Sequence, residues 1–539
     1  MTDHAFAELA AAYLDDHAKR HPDRATELGD HRFDAHLPDR SADALADERR
    51  SLDGWTARLA DLDSATLSAE HQVDAAMMAN SLQQRAFEID ELHEHTWDPQ
   101  LVNPGRAIYM LLARDFAPLP DRLAAVAGRL AEVPATLAAA RAQLESMPLV
   151  HTETAIGQFS GTMTLISTEI DAALAAAPQC AGLIEAVRPA ALAALAEHRD
   201  WLSAQLPTAT GDPRIGAERF ARKLSLKLNA TADAAGILAR AQADLDRVSD
   251  ELTTVAASLG GGVREVLDRL AAAAPDDATI LEFCRAALAA QTTFVRDNQL
   301  VTVYDDPVEI IEMPEIDRGV AVAYCDSPGP LESVPQATFL AVAPAPADWQ
   351  ADRIASFYRE YNRYMVHDLM VHEAMPGHYL QLQHAVRYRG SDTALRAAFY
   401  SGSFVEGWAV YAEELMADHE YPGDGDPRAV RMQQLKMQLR MTINAILDAG
   451  VHAHGMTEAQ AMALMMDRGY QEEGEAAGKW RRAQLTSAQL STYYVGYTEV
   501  ADLSRDLRAA RPEWTEQQLH DTMLGHGSPP ARFLRTLVL

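Results

Sequence analysis

LPDRLAAVAGRLAEVPATLAAARAQLESM, residues 119–147, decides the fold class. Its apolar residues return at three-and-four spacing, the period of one helix face, and Ala and Leu both favour helix. Pro134 punctuates the run, because proline removes a rung of the helical ladder. Residues 218–258 and 263–295 repeat the style, and helical pattern resumes near Trp349 and continues, with breaks, to the end. The one contrasting stretch spans about 298–345. There NQLVTVYDDPVEIIEMP, GVAVAYCDSPGP and QATFLAVAPAP are rich in β-branched and aromatic residues and are bounded by Pro, Gly and Asp. That texture predicts a small sheet of two to four strands. The expected fold is therefore mainly α, two-lobed, with a small β-sheet beside a cleft. Asp212 and Pro213 mark a turn, which places an N-terminal helical lobe at 1–212 and a second lobe, carrying the sheet and the chemistry, at 213–539.

The chain has 539 residues, enough for about three domains by length alone, though helical enzymes of this size often form two lobes around one cleft. A net charge of -31 argues against nucleic acid and against an anionic membrane surface, both of which need clustered Lys and Arg. No run of about 18 consecutive apolar residues predicts a transmembrane helix. The N-terminal residues lack the basic and apolar regions of a secretory signal. Cys180, Cys284 and Cys325 are scattered, which suits a reducing compartment, so the expected location is the cytoplasm.

The chemistry lies in His372-Glu-Ala-Met-Pro-Gly-His378. In the common zinc helix, H-E-x-x-H, two histidines four apart share one face and the Glu beside the first is a general base. Here the second histidine is six positions on, which on an ideal helix leaves the two side chains roughly 120° apart. Pro376 stands at the usual ligand position and opens the ladder, and Gly377 permits unusual backbone angles. A bulge absorbing two extra residues would return His378 to a shared ion.

Three further segments support the reading. FVEGWAVYAEEL, 404–415, offers Glu406 as a third metal ligand and Glu413, two turns on, as a partner for a ligand histidine or as a solvated carboxylate. Trp408 reads as packing. STYYVGY, 491–497, clusters Tyr493, Tyr494 and Tyr497 around Gly496, as a loop presenting a phenol to developing negative charge would, or as plain aromatic packing. His452 is a further candidate catalytic contact.

HEAMPGHYLQ followed by FVEGWAVYAEEL resembles the bacterial domain-of-unknown-function family 885. HPDRATELGDHRFD, NPGRAIYMLLARDFAPLPDRL and RMTINAILDAGVHAHGMTEAQA extend the resemblance along nearly the whole chain. The resemblance implies a helical, gluzincin-like zinc peptidase, with His372, His378 and Glu406 as ligands, Glu373 as base and Tyr493 as the tyrosine three residues before a glycine. The Glu406 segment is also similar to that of thimet oligopeptidase-like and angiotensin-converting enzyme-like helical peptidases, which set a short edge strand beside the zinc. Tyr379 stands where the family commonly has His, and Phe339-Leu-Ala-Val where relatives often have F-Y-V-N, which bears on substrate preference.

The resulting expectation is a zinc-dependent hydrolase of short peptides. A peptide would add to the strand at ATFLAVAP by β-augmentation. Two alternatives stand beside it: a metal-dependent hydrolase of a non-peptide amide or modified amino acid, and a non-catalytic helical scaffold whose metal site is closed by a fourth ligand such as His384 or His367.

Overall fold

A computed structural model describes residues 2–313, 322–345 and 349–539. The chain is mainly helical, with one three-stranded sheet among the described residues. Parts of the strand readings, at 314, 319–321 and 346, lie outside the described residues.

The Cα packing divides the chain into two compact units. The first comprises Met1–Ile215, Pro328–Gln336 and Ser391–Phe399. Its larger core joins the helices Leu119–Arg141, Leu149–Ala176 and Arg188–Gln205, through Leu123, Val126, Leu130, Phe159, Ile166, Leu195 and Leu202. Pro134 lies inside the first of these helices, which continues through it. The lost rung costs about 3 kcal/mol, and the buried Leu130, Val133 and Leu137 around it offset that by packing. By length and composition this helix alone among the described residues passes for a membrane span, or with it one bent pair, Pro178–Glu185 and Arg188–Thr208. Half of its apolar window is buried in the protein, and it carries the buried Arg122 and Arg129.

Two short excursions from distant sequence complete this unit, one held by partly buried and one by buried charge. His31 bridges Asp34 and Glu332, 2.9 Å to each. Arg396 places Nε 2.6 Å from Asp74, whose other oxygen accepts the hydroxyls of Ser391 and Thr393. Asp74 is fully buried, so its negative charge needs all of these partners.

The second unit comprises Gly216–Ser327, Ala337–Gly390 and Tyr400–Leu539. Its sheet runs β1 (Val308–Glu312), β2 (Ala323–Asp326) and β3 (Thr338–Val342), in the order β1-β3-β2. β3 pairs parallel with β1 and antiparallel with β2. This corrects the expectation that ATFLAVAP receives a peptide strand: β3 is the central strand, and both of its hydrogen-bonding edges are taken. The helix Arg363–Glu373 packs beside β2, and Ile280–Asp297 beside β1.

The other helices that matter for the site are His378–Ala385, Gly402–Asp418, Pro427–His454, Glu473–Leu485 and Ser491–Ala510. The Gly402–Asp418 and Ser491–Ala510 helices touch backbone to backbone. A Cβ on Gly407 would lie 2.2 Å from the carbonyl carbon of Gly496, and one on Gly496 would lie 2.0 Å from the Ser403 carbonyl oxygen. Only glycine fits at either position.

Replacing Arg396 by Met leaves Asp74 buried without its cation. We expect a loss of about 3–5 kcal/mol, read as an earlier denaturant transition of the first unit. A shift below 1 kcal/mol would show that the pair is not what holds the 391–399 excursion.

Candidate active site

The His372 helix ends at Glu373, and a new helix starts at His378. The four residues between them form a break rather than a bulge inside one helix. Through it the backbone bonds widen from the usual four-residue step: Met375 N–H bonds Met370 O at 3.2 Å, Gly377 N–H bonds Val371 O at 2.9 Å, and Leu380 N–H bonds Ala374 O at 3.2 Å. The Met375–Pro376 peptide is cis. Gly377 sits so close to the preceding turn that a Cβ there would lie 1.9 Å from His372 O. Trp408, fully buried, donates its indole N–H to Pro376 O at 2.8 Å and so ties the break to the Glu406 helix.

The break turns the two histidines toward each other. Their rings stand 4.7 Å apart, centroid to centroid, at 85°. Nε2 of His372 and Nε2 of His378 lie 3.4 and 3.5 Å from the same Glu406 oxygen, Oε2. His372, His378 and Glu406 each direct one donor atom into a space within which these atoms are no more than 4.8 Å apart. Glu406 Oε2 is buried and has no hydrogen-bond partner among the described residues. Two imidazole nitrogens and an unsatisfied carboxylate oxygen form a donor set suited to zinc, and a divalent cation would satisfy them.

The surroundings are acidic. His372 Nδ1 donates to Glu413 Oε1 at 2.6 Å, which leaves Nε2 facing the cluster. Burial disfavours a charged His372, but Glu406 and Glu413 outweigh it and hold the ring well above the usual imidazole range. Burial likewise opposes ionisation of Glu406, yet the two histidines facing it keep its carboxyl far below the usual range. Asp368, four residues before His372, is buried, and burial together with the Glu413 charge pushes its carboxyl well up. The sequence reading passed over Asp368, although its four-residue offset from His372 puts both on one helix face. Glu373 is buried at 9% exposure, next to His372.

The three tyrosines separate cleanly. Tyr494 donates to Asp244 at 2.6 Å. Tyr497 donates to Glu414 at 2.8 Å and accepts from Gln438. Tyr493 is the one whose phenol feels the Glu406 carboxylate, which raises its pKa more than any other influence, burial coming second. The Gly407–Gly496 contact explains this, since Tyr493 precedes Gly496 by one turn and Glu406 adjoins Gly407. These tyrosines stand on a helix, not on the loop the sequence suggested.

His452 is not brought to the cluster by any described contact. Its Nε2 donates to the carbonyls of Ala483 and Thr486, at 2.9 and 2.8 Å, and its ring stacks on Phe220. Asp448, one turn earlier, accepts from Ala488 N, Ser491 N and Ser491 Oγ. The pair anchors the segment leading into the Tyr493 helix, and no described contact joins His452, the further candidate of the sequence, to the cluster. His384 bonds Thr302 O, and His367 bonds Tyr421 and Asp424, so neither joins the cluster as a fourth ligand.

The profile of the family described as "Bacterial protein of unknown function (DUF885)" matches residues 22–538. No curated protein matches the sequence. Among solved structures, "a putative lipoprotein of unknown function from Shewanella oneidensis" is similar at 29% identity with a TM-score of 0.83, covering 99% of each chain. A "putative lipoprotein from Colwellia psychrerythraea" shares the fold at 17% identity with a TM-score of 0.81, covering 99% of this chain and 98% of the other. These relatives overturn the cytoplasmic expectation, since both are described as lipoproteins. The free cysteines behind that expectation do not discriminate between compartments, because a chain this large builds its cores without disulfides.

Trp408→Phe keeps the packing but strands the buried Pro376 carbonyl. We expect it to cost about 1–3 kcal/mol in thermal unfolding; an unchanged melting temperature would show that the indole bond does not hold the break.

Proposed function

The chain belongs to the bacterial family of unknown function DUF885, and from the site it carries we propose that it is a zinc-dependent hydrolase that cleaves peptide bonds of short peptides. The observation that carries this reading is the convergence of His372, His378 and the unpartnered Glu406 oxygen, with Glu373 beside them. Three protein ligands and an adjoining carboxylate are the composition of a catalytic, not a structural, site. The engagement of His367 and His384 elsewhere favours this over a scaffold with a closed site.

His372, His378 and Glu406 would hold a zinc ion, and its chemistry there would be that of a Lewis acid toward a carbonyl and toward water. The chain's own groups do the rest. Glu373 takes a proton from the attacking water at its carboxylate and delivers it to the leaving amine. Tyr493 donates its phenolic hydrogen to the oxyanion that develops on the scissile carbonyl. Glu413 keeps His372 in the tautomer that presents Nε2. Amides other than peptides suit the same chemistry, and a screen of short peptides against acylated amino acids separates them.

Purified protein is expected to carry about one zinc per chain by elemental analysis, and His378→Ala to lose it; zinc retained after that change would sink the ligand assignment.

Glu373→Gln is expected to keep zinc while turnover of the best short peptide falls by about 10²–10⁴-fold. Undiminished turnover would remove Glu373 as the base.

A further inference from the structure

The second unit contains a group of cations that the proposed reaction does not use. Tyr493, the proposed oxyanion donor, receives a hydrogen bond from Arg482 Nη2 at 3.4 Å. The same nitrogen donates to Gln489 Oε1 at 2.9 Å. Arg482 is half-buried and has no carboxylate partner among the described residues. One helical turn earlier, on the same face of the Glu473–Leu485 helix, stands Lys479. Lys479 is buried, at 7% residue exposure, and among the described residues its amine makes no hydrogen bond or ion pair.

The neighbouring carboxylates are already committed. Glu475 pairs with Arg440, and Glu360 with Lys436 at 2.7 Å. Four cations, Lys436, Arg440, Lys479 and Arg482, therefore share two anions, Glu360 and Glu475. The Arg482 guanidinium and the Lys479 amine are left over, in a chain whose net charge is -31. Burying an ammonium without a counter-ion is costly, and burial with the nearby Arg440 holds the Lys479 amine well below its usual range. Such an arrangement is poised for an anion, and it adjoins the phenol that faces Glu406.

We propose that Arg482 and Lys479 form a carboxylate-binding subsite for the substrate, next to the scissile bond. This deepens the peptidase reading and rests on it. A carboxylate there would meet the guanidinium, and the Lys479 amine would take up its proton against it, beside the phenol to which Arg482 donates. The two sources of that group are the free C-terminus of a short peptide, which makes the protein an exopeptidase, and an acidic side chain.

The test is binding, measured by calorimetry on the full chain after chelator treatment, so that no turnover is needed. The probes are N-acetyl-dialanine, its C-terminal amide, and N-acetyl-alanyl-glutamic acid diamide, which carries only a side-chain carboxylate. We expect the free acid to bind about 10–100-fold more tightly than the amide, as charge-assisted hydrogen bonds imply. We also expect that preference to vanish in Arg482→Gln and in Lys479→Met, the latter keeping the buried volume. Equal binding of acid and amide, or a preference unchanged in both variants, overturns the subsite. Tighter binding of the glutamate diamide than of the free acid keeps the subsite and assigns it to an acidic side chain. If Arg482 merely positions Tyr493, its substitution lowers turnover of acid and amide peptides alike and leaves the binding preference intact. Hydrolysis of peptides without acid preference would leave the hydrolase standing and remove the subsite; selective acid binding without hydrolysis of any peptide would do the reverse.

Discussion

The geometry of the site depends on a four-residue break in a helix. Side chains six apart on a continuous helix diverge by roughly 120° and cannot share an ion. Between Glu373 and His378 the backbone abandons the four-residue bond for five- and six-residue spans, and the histidines then meet at 4.7 Å. Gly377 makes this possible by having no Cβ to strike the His372 carbonyl. Trp408 makes it durable, because its indole satisfies the Pro376 carbonyl that the broken ladder leaves over.

A second close approach completes the arrangement. Gly407 and Gly496 let two helices touch along their backbones, and the residues beside these glycines, Glu406 and Tyr493, are thereby brought into electrostatic reach. The Asp448–His452 pair holds the start of the Tyr493 helix through five hydrogen bonds to the 483–491 segment. His452 thus acts on the site at a distance, by fixing where the phenol-bearing helix begins.

Charge is distributed to the same end. Acid surrounds the His–His–Glu cluster: Glu373, Glu413 and Asp368 are all buried there. Basic groups, Arg482 and Lys479, lie on the helix whose Arg482 bonds the Tyr493 phenol. Tyr493 stands at the boundary between the two.

Much of this was legible in the sequence. The three-and-four spacing determined that the chain is helical, and the β-branched run determined where the one sheet lies, because both are local properties of backbone and side chain. The motif His372-Glu-Ala-Met-Pro-Gly-His378 announced its own irregularity, and Glu406 and Glu413 follow from seven-residue spacing on one helix. What the sequence left undetermined involves partners far apart in the chain. The strand order, with β3 in the centre, is set by pairings across 12 or more residues, so the strand expected to receive a peptide proves to be enclosed. The 328–336 and 391–399 excursions belong to the first unit through ion pairs about 300 residues apart in sequence. Which tyrosine faces Glu406, and which histidine only props a helix, was decided by helix crossings and buried hydrogen bonds. Those depend on a missing Cβ or on one distant carbonyl, and no local pattern encodes them.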